Sequence, residues 1–228
     1  HGWVSMSTTF REKSCHSQRW IGYIKKQKMG GYKRMTAGRT LNTISQEWGT
    51  PENYVNAIQR FFGWSIDLDP CSNKYSIVNA KVEYQLPKND GLKESWNFQT
   101  IYVNPPYGID KERGTSIKKW LEKCASAYLE NKSEVIALVP VATNTGHWKN
   151  YVFGVATGVC FLYDTRLKFL VNGQNGGKGA PMSCAMIYWG TDFDKFFSYF
   201  QQFGAVVDLR NLVGKKFGSP TKDRKLAF

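Results

Sequence analysis

Several things are scarce in this chain of 228 residues, and each scarcity narrows what the protein can be. No apolar run approaches the length of a membrane span, and the N-terminal stretch has no apolar secretory core. Together these predict a cytoplasmic protein with no membrane partner. The five cysteines (Cys15, Cys71, Cys124, Cys160, Cys184) are scattered, and no CxxC occurs. The three histidines do not cluster with them, so neither a zinc site nor a disulfide framework is expected, and a reduced compartment fits. No internal repeat is visible. Acidic residues are nearly missing from the two ends. Residues 1–39 hold nine basic residues against Glu12 alone, and residues 210–228 hold six against Asp223. The formal charge of +13 therefore sits entirely in the flanks, around a neutral body. Such a distribution suits a polyanionic partner, with Lys25, Lys26, Lys33 and Arg34 as phosphate contacts. Trp20, Tyr23 and Tyr32 are interleaved with the N-terminal cations.

What is present reads as one α/β domain between basic extensions at 1–40 and 206–228. Thr50-Pro51 predicts a helix start, with Thr50 as N-cap and Pro51 at the first helical position. Val55, Ile58, Phe61 and Phe62 form its apolar face, and Gly63 ends it. Residues 65–69 read as a strand reaching Pro70, and 100–103 as a second strand. Ile117, Trp120, Leu121, Cys124, Ala125, Tyr128 and Leu129 repeat at helical spacing, with the cations outside. Residues 135–139 are continuously apolar, as in a strand buried on both faces. Residues 159–163 and 185–189 read as further strands, and 172–179 as a flexible polar loop that closes over substrate, reads sequence or merely connects. The aromatic stripe Phe193, Phe196, Phe197, Phe200 and Phe203 marks a last helix packed in the core. Strands alternating with helices predict a mostly parallel sheet.

Asn104-Pro105-Pro106-Tyr107 is the motif that speaks of chemistry. Two adjacent prolines end a central strand and hold an extended turn at its C-terminal end. That edge is where ligands bind in open α/β sheets. The Asn104 amide oxygen and the Pro105 carbonyl are two acceptors able to hold one exocyclic NH2 group, and Tyr107 supplies a ring to stack on a planar base.

This motif after a strand resembles the catalytic motif of amino-methyltransferases, and the chain from about 46 to 190 resembles the phage-type DNA N6-adenine methyltransferase (Dam) family. The resemblance implies a Rossmann-like methyltransferase domain over 41–205, S-adenosylmethionine as cofactor and DNA as partner. It implies methyl transfer to adenine N6, with the target base flipped out of the duplex. By the same resemblance Thr50 and Pro51 open the cofactor-side helix, and Asp67, Asp69, Pro70, Cys71 and Ser72 form the first cofactor motif. Asp69 is preferred over Asp67 because it adjoins Pro70. Asp90 and Leu92 form the motif that receives the cofactor's adenine. The family's Gly-x-Gly is absent after the first strand, where Ser72-Asn73 stands, and Glu83 is the one acid available to end a second strand. Lys111 and Arg113 are placed either on flanking phosphates or in a solvated loop. Arg166 and Lys168 are expected DNA contacts. Three alternatives share these features: an RNA adenine acceptor, a protein glutamine amide, and a DNA-binding protein that kept the fold without catalysis. No separate target-recognition domain is visible, which predicts short or relaxed specificity. Host modification, phage protection against restriction and regulation would all use this chemistry.

Overall fold

The apolar run at 135–139 becomes the centre of a sheet. The computed structural model describes residues 48–215 except 165, 177, 178 and 181. Along the chain come β1 (Trp48–Gly49), α1 (Glu52–Phe61), β2 (Leu68–Asp69), β3 (Val82–Glu83), β4 (Thr100–Val103), α2 (Ile117–Asn131) and β5 (Glu134–Pro140). A π-helical turn (Trp148–Phe153) follows, then β6 (Gly158–Leu162), β7 (Leu170–Val171), β8 (Gln174–Asn175) and β9 (Cys184–Trp189). The last elements among the described residues are α3 (Phe193–Phe200), β10 (Gly204–Asp208) and a 3-10 turn (Arg210–Leu212).

Seven strands form one sheet in the order β10-β6-β9-β5-β4-β2-β3. The pairings β2–β3, β2–β4 and β4–β5 are parallel, whereas β5–β9, β6–β9 and β6–β10 are antiparallel. The sheet is thus mixed, with the parallel half carrying the motif strands. Alternation along β5 explains its composition: Ile136 and Leu138 enter one core cluster, and Val135, Ala137 and Val139 the other. α1 and α3 cover the first face, and α2 with the π-helical turn covers the second. Phe61 is fully buried between Phe62, Tyr188, Phe196, Tyr199 and Phe200, with ring centroids 5.1–6.4 Å away.

Several expectations are corrected. Helix α1 begins at Glu52, one residue late. Pro51 itself is the cap, with ψ at 146° keeping it extended, and Thr50 makes no cap bond because its hydroxyl lies 2.6 Å from the buried Tyr102 hydroxyl. Gly63 does end the helix: at φ +65° it donates to Arg60 O while Trp64 N donates to Gln59 O, a Schellman motif. The strand at 65–69 shrinks to β2, since residues before it pair through single bonds such as Asp67 N to Thr100 O. On α2, Leu129 is exposed, and Lys123 turns inward, donating to Leu92 O at 2.7 Å and Glu94 O at 2.5 Å. On α3, Phe197 is exposed while Phe193, Phe196 and Phe200 are buried. Within the stretch expected to be an open loop, residues 172–175 form a hairpin turn and a strand instead. Asn172 and Gly173, at φ +52° and +76°, turn β7 into β8, and β1 pairs with β7 to make a small three-stranded antiparallel sheet. An Asn-Gly pair between short strands is the signature of a tight hairpin turn.

Candidate active site

β2 and β4 are adjacent parallel strands with Leu68 opposite Ile101, so both motifs leave the sheet at the same edge. Asn104 is half-buried there, Pro105 is buried, and Tyr107 is half-buried. The Asn104 Nδ2 donates to the Trp48 carbonyl at 2.9 Å. That bond takes the donor end of the amide and leaves Oδ1 as an acceptor. The Pro105 carbonyl accepts no hydrogen bond among the described residues. The Tyr107 hydroxyl donates to Leu138 O at 3.0 Å, and its ring meets Phe169 edge-on at 5.7 Å.

One strand over, Asp69 is 4% exposed and its Oδ1 accepts from Cys71 N at 2.9 Å. Burial pushes its pKa up to about 7, and the charge of Glu83 adds to the rise against the pull of the Cys71 N–H. No cation pairs with Asp69 among the described residues. Asp67 does not reach this edge. It lies level with Thr100, whose N–H it accepts at 3.1 Å, and it pairs with Lys81 at 2.8 Å. Burial alone would raise its pKa, but the Lys81 and Thr100 hydrogen bonds outweigh it and hold the carboxyl low. At the rise of a strand, Asp67 is roughly 13 Å along from Asn104. Cys71 is half-buried, and burial followed by the Asp69 charge pushes its thiol well up, which suits a small filler rather than a nucleophile.

Glu83 ends β3, the next parallel strand, and its Oε2 accepts from Ser72 Oγ at 2.9 Å and Gln85 Nε2 at 3.1 Å. Asp90 belongs to the same neighbourhood because of Gly91. A Cβ on Gly91 would stand 1.9 Å from the Pro70 carbonyl, so only glycine lets the two motifs touch. The Gly91 carbonyl is anchored by the buried Trp96 Nε1 at 2.8 Å. Asp90 and Leu92 line a cleft of about 340 Å³ together with Arg113, Thr115 and Lys123. Arg113 is therefore beside the Asp90 motif, and its Nε also holds Asp110 at 2.8 Å. Lys111 is exposed. Arg166 and Lys168 are exposed and alternate with the buried Leu167 and Phe169, whose rings and chains run into the core. Thr50 is spent on Tyr102, and Pro51 on the helix cap. Lys25, Lys26, Lys33 and Arg34, and the basic tail beyond Lys215, lie outside the described residues.

Sequence reading missed Trp48 and Phe169 as neighbours of the Asn104 motif. The Asn172-Gly173 turn was the signal that could have found their sheet. Glu83, the one acid the sequence offered at the end of a second strand, does end one, although β3 is only two residues long and leaves no apolar pattern. A family model described as DNA N-6-adenine-methyltransferase (Dam) matches residues 37–216. No curated protein and no solved structure matches the chain.

Proposed function

The chain belongs to the DNA N-6-adenine-methyltransferase (Dam) family, and from that membership we propose that it moves a methyl group from S-adenosylmethionine to adenine N6 in DNA at the Asn104 edge. The observation that carries the reading is the pair of unspent acceptors, Asn104 Oδ1 and the Pro105 carbonyl, one strand from a buried carboxylate that lacks a cation. The cofactor supplies an electrophilic methyl on a sulfonium. The residues fit such a group: Asp69 would pair with its ammonium, Glu83 would accept from its ribose hydroxyls, and Asp90 with Leu92 would hold its adenine.

The target nitrogen is a poor nucleophile because its lone pair is conjugated with the ring. Asn104 Oδ1 and Pro105 O, accepting from both N–H bonds, favour a more tetrahedral nitrogen and turn the lone pair outward. Orientation and proximity then supply most of the acceleration. No strong base is required, since the N6 proton is lost after transfer. A base inside a duplex must leave the stack to reach this edge, and Tyr107 would lie against it. Arg166 and Lys168 would neutralise flanking phosphates, and the basic ends would add sequence-independent attraction. Arg113, which lines the cleft with Asp90 and Leu92, would serve the cofactor side rather than DNA.

Nucleoside mass spectrometry of unmethylated DNA, incubated with protein and S-adenosylmethionine, tests the proposal. N6-methyladenine is expected from the unsubstituted protein. An Asn104→Ala variant is expected to make at least about 100-fold less, the scale for one well-placed transition-state hydrogen bond. Absence of product from folded protein on several DNA substrates, with product on RNA or on a glutamine peptide, would transfer the reading to that acceptor.

A further inference from the structure

Both ends of the Asn-Pro-Pro-Tyr segment lean on the same small sheet. At one end, Asn104 Nδ2 donates to the Trp48 carbonyl at 2.9 Å. At the other, the Tyr107 ring meets Phe169 at 5.7 Å with planes at 76°. The circuit closes because the Trp48 ring stacks on Phe169, centroids 5.2 Å apart and planes at 17°. Trp48 is held in β1, opposite Val171 of β7, with Gly49 opposite Leu170. Gly49 sits close: a Cβ there would be 3.2 Å from the Leu170 Cβ. Phe169 is buried, and its carbonyl accepts from Gly176 N, which extends the β7–β8 hairpin past its strands.

An amide side chain has one donor end and one acceptor end, so a carbonyl at one end decides what the other end shows. With Nδ2 on Trp48 O, the free end of Asn104 is an acceptor. Turned over, Oδ1 would face the Trp48 carbonyl, two acceptors together, and an NH2 group would be offered to the substrate's NH2. We infer that the β1–β7–β8 sheet is a positioning device for the reaction and that Trp48 is its key positioning residue: its carbonyl selects the productive Asn104 rotamer and its ring, through Phe169, steadies Tyr107. The inference rests on the methyl transfer proposed above. Trp48 touches no reacting atom in it, so its effect belongs to turnover rather than to cofactor binding.

Three variants test this beside the unsubstituted protein. Trp48→Ala removes the stack on Phe169, and Trp48→Phe keeps an aromatic ring there. For Trp48→Ala we expect kcat to fall about tenfold or more, the cost of a misplaced reacting group, with KM for S-adenosylmethionine within about twofold, and Trp48→Phe to recover most of the loss. Asn104→Asp gives a second readout. Its neutral carboxyl can donate to Trp48 O and still accept from substrate, whereas its ionised form sets two acceptors against that carbonyl. Its activity relative to the unsubstituted protein is therefore expected to fall as pH rises through the carboxyl's titration. Unchanged kcat in Trp48→Ala, a loss confined to KM, or an Asn104→Asp profile that parallels the reference or is dead at every pH overturns the inference. Should Trp48→Ala fail to fold, the pH profile of Asn104→Asp still decides, since that substitution keeps the packing. No product from the unsubstituted protein would instead overturn the proposed function.

Discussion

Asp69 is a carboxylate in the wrong solvent. It is buried beside Glu83, and its pKa is pushed up to about 7 from an ordinary value of 3.8. The unfolded chain releases this proton near the ordinary value, while the folded protein keeps it to about 7. Between those limits the folded state binds more protons, so stability falls as pH rises across the window and levels off above it. The upper bound on the loss is about 4 kcal/mol. Denaturant titrations from pH 4 to 8 are expected to show this decline in the unsubstituted protein and a flatter profile in Asp69→Asn. Parallel profiles would refute the assignment. A cationic ligand at Asp69 favours its ionised form. Binding of S-adenosylmethionine is therefore expected to tighten as pH rises through about 7 and to release a proton, which calorimetry in buffers of different ionisation enthalpy measures directly.

Two short connections decide how the elements meet. Gly91 lies on the Pro70 carbonyl, and a methyl group there would overlap it at 1.9 Å. Gly91→Ala must push the Asp90 motif off the Asp69 motif. It is expected to weaken cofactor binding at least about tenfold, roughly 1.4 kcal/mol, while the melting transition stays cooperative; unchanged affinity would detach the Asp90 loop from the site. In the hairpin, Gly173 holds φ +76° and Asn172 +52°. A β-branched residue at Gly173 is strained in that region by about 1–2 kcal/mol. Gly173→Val is expected to loosen β7–β8, and with it the β1 pairing that carries Trp48, so turnover falls more than global stability. Equal activity would mean that the small sheet does not act on Asn104.

Across the whole molecule, one aromatic core and one charge distribution matter most. Phe61 is fully buried among five aromatic rings that join α1, β9 and α3. Phe61→Ala is expected to cost about 3–5 kcal/mol in denaturant unfolding, far more than removal of the exposed Phe197 on the same stripe. A neutral body with basic ends has a second consequence. DNA affinity is expected to fall steeply with salt, and deletion of residues 1–39 to reduce the slope of log affinity against log salt by several units, since each neutralised phosphate contributes about 0.9. An unchanged slope would assign the phosphate contacts to the body, with Arg166 and Lys168 the first residues to substitute.

Composition, periodicity and one tetrapeptide carried the α/β class, the main strands at 100–103, 135–139 and 185–189, and the type of chemistry. Those features are local: burial on both faces demands an unbroken apolar run, and two prolines stop a strand wherever it lies. The preference for Asp69 over Asp67 was legible from its place beside Pro70, but only tertiary structure decided what surrounds each acid: Asp67, before β2, is taken by Lys81 and Thr100, while Asp69, at the end of β2, is buried. It also decided that Glu83 stands beside Ser72, that Gly91 closes on Pro70, and that Trp48 faces Asn104 from 56 residues away. Such contacts follow from strand order and close packing between segments distant in sequence. No pattern within any one segment encodes them.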